Sequence, residues 1–207
     1  MEKAEKTGIR EQVLNEIIDF AEKYDEASEE VLAELKKTLE SVDPASLERL
    51  AQEILKADQV FFVGVGRVML ALQCVCKRFA HLGIKAHCVG EINEPAIKKD
   101  DLLIVGSGSG GSLFPLGIAK KARETVDCTI VHIGSNPNSQ MKDIADFMVR
   151  IPVRTKNYLE DEIDSCQPMT SLFEQAVLLV GDVLAKMIIE QRHLDMRSLW
   201  QYHANLE

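Results

Sequence analysis

From Gln59 onward, short and nearly continuous apolar runs alternate with stretches of helical periodicity, and each run closes on glycine, serine or a charged residue. A strand that is apolar at almost every position must be covered on both faces, which is the situation of a parallel strand between helix layers. The runs fall at 59 to 65 (QVFFVGV), 84 to 89 (IKAHCV), 101 to 106 (DLLIVG), 127 to 133 (DCTIVHI) and 147 to 151 (FMVRI). Helices are expected at 67 to 82, 112 to 125, 138 to 145 and 170 to 192. The expected fold class is therefore α/β: a doubly wound, five-stranded parallel sheet flanked by helices.

Ahead of this alternation the chain reads as an N-terminal helical arm. Val13, Leu14, Ile17 and Ile18, then Val31, Leu32, Leu35 and Leu39, form apolar stripes in a charged background. Asp43-Pro44 restarts the chain as a cap with proline at the first helical position, and Leu47, Leu50, Ile54 and Leu55 continue one apolar face. The expected division is an arm over 1–42 and a ligand-binding domain over 43–207, a size that suits one core with an appendage for 207 residues. The stripes could pack on that core or on a second subunit.

Composition removes several function classes. Twenty-four Lys and Arg against 33 Asp and Glu give a net charge of −9, so the summed field opposes nucleic acid and anionic membrane as partners. No apolar run approaches the roughly 20 residues of a membrane span, and the leading MEKAEKTGIREQ is charged, which makes a cytoplasmic location the expectation. Cys74, Cys76, Cys88, Cys128 and Cys166 have neither CxxC nor zinc-finger spacing and are expected as buried free thiols. His87, Cys88 and His132 sit on expected strands, but alternation sends His87 and Cys88 to opposite faces, so no metal and no cofactor is assigned.

In open α/β sheets ligands bind outside the carboxyl ends of the strands. Three strand-to-helix loops are unusual: Gly64-Val65-Gly66-Arg67, Gly106-Ser107-Gly108-Ser109-Gly110-Gly111-Ser112 and Gly134-Ser135-Asn136-Pro137. The middle one combines glycines that let backbone approach a ligand, three hydroxyls and an immediately following helix, which together suit a phosphate. Walker-A chemistry does not fit, because no Gly-Lys-Ser/Thr follows, and a dinucleotide fingerprint would need glycine where Met69 stands. The competing reading is a flexible turn with Ser112 as a helix cap.

These loops also carry a family resemblance. The GxGR at 64 to 67, Arg-Phe-Ala-His-Leu-Gly at 78 to 83, Val89-Gly90-Glu91 with Pro95-Ala96-Ile97-Lys98-Lys99-Asp100, and Ser135-Asn136-Pro137 resemble the sugar isomerase (SIS) domain family. Ile151-Pro152, Arg154-Thr155-Lys156, the segment Pro168 to Glu174 and the ending His203-Ala204-Asn205-Leu206-Glu207 are similar to its 6-phospho-3-hexuloisomerase branch. The resemblance implies a metal-free homo-oligomer, dimer or tetramer. Its partner would be a small-molecule phosphosugar, with 3-hexulose 6-phosphate and fructose 6-phosphate interconverted through a cis-enediol. It carries phosphate binding over to Ser107, Gly108, Ser109 and Ser112. An alternative of another class, a non-catalytic module that binds a phosphosugar as a sensor, is motivated by Val68 and Gly111, which stand where the family carries polar groups.

Ketose isomerisation needs a base beside the carbonyl and a group that moves protons between oxygens. The resemblance puts Glu174 on the helix lining the sugar pocket, as base. The competing reading is the capping box Ser171-x-x-Glu174, in which the same carboxylate would bond a backbone amide. His203, in a tail of the kind that reaches across subunit boundaries in related enzymes, is the candidate proton shuttle, against a disordered chain end. Glu91 is the reserve base, against a turn residue. Gly66 and Arg67 complete the ligand-binding set, Arg67 to offset phosphate or enediolate charge, against a surface ion pair. His81 is read as packed at a helix end. Glu160, Asp161, Glu162 and Asp164 are read as a solvated loop able to move as a lid.

Overall fold

The computed structural model describes residues 20–206, with side chains from 23 onward. Val13, Leu14, Ile17 and Ile18 lie outside the described residues. Helix α1 spans Phe20–Ser41 and α2 spans Pro44–Lys56. The break between them is fixed by Asp43, whose carboxylate accepts from the N–H groups of Ala45 at 3.2 Å and Ser46 at 3.0 Å, with Pro44 opening the helix as expected.

Strands β1 (Val60–Val63), β2 (Ala86–Cys88), β3 (Leu102–Gly106), β4 (Thr129–Gly134) and β5 (Phe147–Arg150) form one sheet in the order β2-β1-β3-β4-β5. All four pairings are parallel, with Val60 opposite both Ala86 and Leu102. Helices α3 (Gly66–Ala80), α4 (Leu113–Thr125) and α5 (Ser171–Gln191) complete the α/β alternation. The five runs read from sequence are the five strands. The expected helix over 138 to 145 is only a four-residue 3₁₀ turn, Gln140–Asp143. Asn136 closes an Asx turn onto the Asn138 N–H, and Asp146 reaches back to accept from the Ile130 N–H at 2.7 Å, leaving room for a single tight turn before β5.

Alternation along the strands divides the core. Val60, Phe62, Leu102, Ile104, Val131 and Ile133 pack under α2, α3 and α5, whereas Phe61, Val63, Leu103, Val105 and Ile130 pack under α4 and the 3₁₀ turn. Helices α3 and α5 lie close together because Gly181 sits at their crossing: a Cβ there would come within 2.3 Å of Val75 Cγ2. Of the five cysteines, all free, Cys76, Cys88 and Cys128 are buried while Cys74 and Cys166 are exposed. Cys74 falls on the outer side of α3, whose buried positions are 71, 72, 75, 76 and 79. Among the described residues no helix is long and apolar enough to cross a membrane.

The described part of the arm packs on the core. Leu35 and Leu39 lie against the larger apolar cluster and Thr38 is fully buried. Glu34 on α1 accepts from Ser165 Oγ (2.7 Å), the Cys166 N–H (2.7 Å) and Gln167 Nε2 (2.9 Å), tying the helix to the loop that precedes α5. Burial alone would raise the Glu34 pKa, but the donors on Gln167, Cys166 and Ser165 outweigh it and hold the carboxyl below its ordinary value. A lowered folded-state pKa contributes stability that is present above the unfolded value and is lost as pH falls through the folded one. Glu34→Ala is therefore expected to destabilise by about 1–2 kcal/mol at pH 7. Denaturant melts of variant and parent should converge as the pH is taken into the acid range below the carboxylate pKa.

Candidate active site

Because every strand is parallel, the loops after β1, β3 and β4 share one edge of the sheet. At that edge α3 enters very close to the strands: a Cβ on Gly106 would lie 2.6 Å from Leu72 Cδ1 and 3.0 Å from Val68 Cγ1. Val68 thus packs half-buried against the end of β3. Gly66, in the left-handed region at φ +57°, turns the chain into α3 and delivers Arg67 to the mouth of the cleft.

Arg67 meets Glu174. Its Nε donates to Glu174 Oε2, while Thr170 Oγ1 donates to the other carboxylate oxygen, Oε1, at 2.7 Å. The Glu174 side chain is 9% exposed and that of Arg67 66%. The helix cap of α5 is Thr170, not Ser171, and it makes no side-chain cap bond. No capping box forms, so the first-turn carboxylate faces the cleft with a cation and a hydroxyl as its partners.

The serine loop lies at the same sheet edge, after β3. Ser107 and Ser109 are buried, and Ser107 Oγ donates to Ser112 Oγ at 3.3 Å. Ser112 occupies the cap position of α4 without bonding any helix amide through its side chain, so the helix N-terminus keeps its N–H groups for an incoming anion. Ser109 Oγ accepts from the Gly111 N–H at 3.4 Å. Gly108 is pressed against Thr155: a Cβ there would fall 2.8 Å from Thr155 Cγ2. Gly111 is exposed with open space around its Cα.

Glu91 lies in the loop after β2 with its side chain exposed, folded back toward the Cys88 N–H at 3.5 Å, the outer limit of a hydrogen bond. His203 is elsewhere. It follows a 3₁₀ turn, Ser198–Tyr202, and its ring stacks on His81 with centroids 5.2 Å apart. His81 caps the C-terminal end of α3, the 15-residue helix whose first turn carries Arg67, so the histidine pair lies about 20 Å from the cleft of its own chain. Tyr202 fixes this arrangement by packing on Gly83. The structure unites Gly66, Arg67, Glu174 and the serine loop at one edge and does not bring His203 to them.

The supporting groups were not visible as such in the sequence. Glu162 is not a solvated lid residue: it accepts from Ser135 Oγ (2.7 Å), Thr155 Oγ1 (3.1 Å) and the N–H groups of Thr155 and Leu159, at 3.2 and 2.9 Å. Arg150 pairs with Asp161 at 2.6 Å, and Arg154 with Asp164, and both acids remain largely exposed, as the solvated reading has it. His132, buried on β4, bonds the Ser107 carbonyl at 2.8 Å. These contacts join residues up to 27 positions apart, beyond the reach of local pattern. Among the described residues no cluster of His, Cys, Asp and Glu has the form of a metal site.

No family model matches the chain. A 3-hexulose-6-phosphate isomerase of Bacillus subtilis is 35% identical over 178 residues, covering 86% of this chain and 96% of that protein. A Methanococcus jannaschii protein, whose crystal structure was taken to infer the molecular function of 3-hexulose-6-phosphate isomerase, is 33% identical with a TM-score of 0.72, over 90% of this chain and 99% of that one. The Vibrio vulnificus NanR protein, solved in complex with ManNAc-6P, shares the fold at 18% identity and a TM-score of 0.66, over 86% of this chain and 64% of that one.

Removing Arg67 would strand a mostly buried carboxylate without its cation. Because the arginine is largely solvated the loss is discounted, and Arg67→Ala is expected to destabilise by about 1–2 kcal/mol. The double variant Arg67→Ala/Glu174→Gln should recover part of that loss, a non-additivity measured by a double-mutant cycle of denaturant melts.

Proposed function

The chain belongs to the 3-hexulose-6-phosphate isomerase family of SIS-domain proteins, and from that premise we propose that the cleft between Glu174 and the serine loop is its active site. It is a phosphosugar isomerase. The observation that carries the site assignment is Glu174: a carboxylate with little solvent, freed from helix capping and paired with Arg67 from the loop after β1, at the sheet edge that also carries the serine loop.

In this reading the hydroxyls of Ser107, Ser109 and Ser112, the backbone of Gly108 and the N-terminus of α4 hold the 6-phosphate. The sugar carbons then extend toward α3 and α5. Glu174 removes the proton from carbon 3 of fructose 6-phosphate, the electron pair moves onto the carbonyl oxygen at carbon 2, and a 2,3-enediol(ate) forms. Transfer of the O3 hydroxyl proton to O2 and return of the carbon-bound proton to carbon 2, with the carbonyl re-formed at carbon 3, yields the 3-hexulose; the reverse direction retraces the step. Arg67 offsets negative charge on the enediolate oxygens and Thr170 holds the Glu174 carboxylate in orientation. Gly66 lets the arginine enter at close range, and Glu91 remains the reserve base at the same edge.

His203 belongs to the proposal only in an assembly. At about 20 Å from its own cleft it can act as proton shuttle only at the cleft of a second copy, so we propose a homo-oligomer of two or four chains. Residues 43–207 are assigned as the isomerase unit with 1–42 as its arm, and five free cysteines suit a cytoplasmic setting. The sensor alternative is disfavoured, since Val68 packs on β3 and the Bacillus subtilis relative, 35% identical, is named an isomerase.

Glu174→Gln keeps the shape and the Thr170 contact but cannot accept a proton. Its kcat for fructose 6-phosphate isomerisation is expected to fall at least about a thousandfold, with saturable binding of the sugar retained. Turnover at the parent rate would remove Glu174 from the role of base.

A further inference from the structure

His132 has no part in the proposed isomerisation, yet it is 2% exposed beneath the serine loop. A carbonyl oxygen can only accept, so the 2.8 Å contact between His132 Nε2 and Ser107 O requires the proton on Nε2. Burial pushes the imidazole pKa down, which keeps the ring in that neutral form. Ser107 O also accepts from the Gly110 N–H at 3.0 Å, closing the turn of the loop.

A trans peptide is planar, with its C=O and N–H on opposite sides. Ser107 O points toward β4 and His132, so the Gly108 N–H points away from β4. Gly108 O likewise accepts from the Ser135 and Asn136 N–H groups at 2.9 and 3.1 Å, which turns the Ser109 N–H the same way. Among the described residues neither N–H donates to a protein acceptor. The ring itself has little freedom: a Cβ on Gly134 would lie 2.3 Å from its Nε2, and one on Gly110 would lie 3.1 Å from its Cε1.

We propose that His132 is a positioning residue of the phosphate site: by donating to the Ser107 carbonyl it sets the direction of the Gly108 and Ser109 amides that receive the phosphate. This rests on the serine loop being the phosphate site of the proposed isomerase. It differs from any direct contact with substrate, because the ring lies behind the loop.

The test compares His132→Leu, which removes the donor, with His132→Gln, whose Nε2 can still donate at similar reach. Affinity for inorganic phosphate and for fructose 6-phosphate is measured alongside kcat and KM. His132→Leu is expected to weaken phosphate affinity and raise KM by about tenfold, with kcat within about twofold, and His132→Gln to restore most of both. If His132→Leu fails to fold, His132→Asn, whose shorter amide falls short of Ser107 O, takes its place. Parent values of KM and phosphate affinity in the donorless variant, or equal losses in the Leu and Gln variants, would overturn the assignment. A parent protein whose phosphate affinity depends on the His132 donor but which does not turn over the sugar would leave this proposal standing and remove the isomerase reading.

Discussion

The constraint on which everything else depends is that all five strands are parallel and that the three central ones, β1, β3 and β4, are buried almost throughout. Parallel pairing forces each connection to cross back over the sheet, so all the strand ends that precede helices meet at one edge. With the order β2-β1-β3-β4-β5, the crossovers leave β1 and β3 in opposite directions. The Gly64–Arg67 loop and the serine loop therefore flank the place where strand order reverses. Close packing then sharpens the cleft: Gly106 leaves no room for a side chain between β3 and the Val68 and Leu72 side chains of α3.

Within that cleft the central interaction is between Arg67 and Glu174. A first-turn glutamate ordinarily satisfies helix amides, a role that would have used up the carboxylate. Here Thr170 takes the cap position and donates its hydroxyl to the same carboxylate, and Arg67 supplies the charge. The serine loop shows the same pattern, since Ser112 stands at a cap position but turns its hydroxyl to Ser107. At both helix starts, side chains that could cap bond other side chains instead of helix amides.

The fold was legible because it rests on local pattern. Apolar runs gave the five strands, and Asp43-Pro44 gave the start of α2 through a cap that acts within three residues. The short 3₁₀ turn in place of a helix at 138 to 145 was not, because Asp146 reaching back to Ile130 is a tertiary demand. The site was half legible. Glycines and serines after β3 marked the loop proposed to hold the phosphate, and the family resemblance singled out Glu174. Glu162 read as one charge in a solvated run, while in the structure it gathers Ser135, Thr155 and Leu159 beneath the cleft. His132 read as a strand residue and proves to hold the Ser107 carbonyl. His203 could be tied to chemistry by resemblance alone, and its stacking on His81 ties it within its own chain to the far end of α3.

The central claim is that this cleft makes a 2,3-enediol from a phosphorylated ketose. The direct measurement is proton NMR of fructose 6-phosphate incubated with the protein in deuterated water. The account predicts loss of the carbon 3 proton signal as solvent deuterium exchanges there. Exchange confined to carbon 1, the mark of an aldose-ketose isomerase, or saturable binding of the sugar without exchange at any carbon, would contradict it.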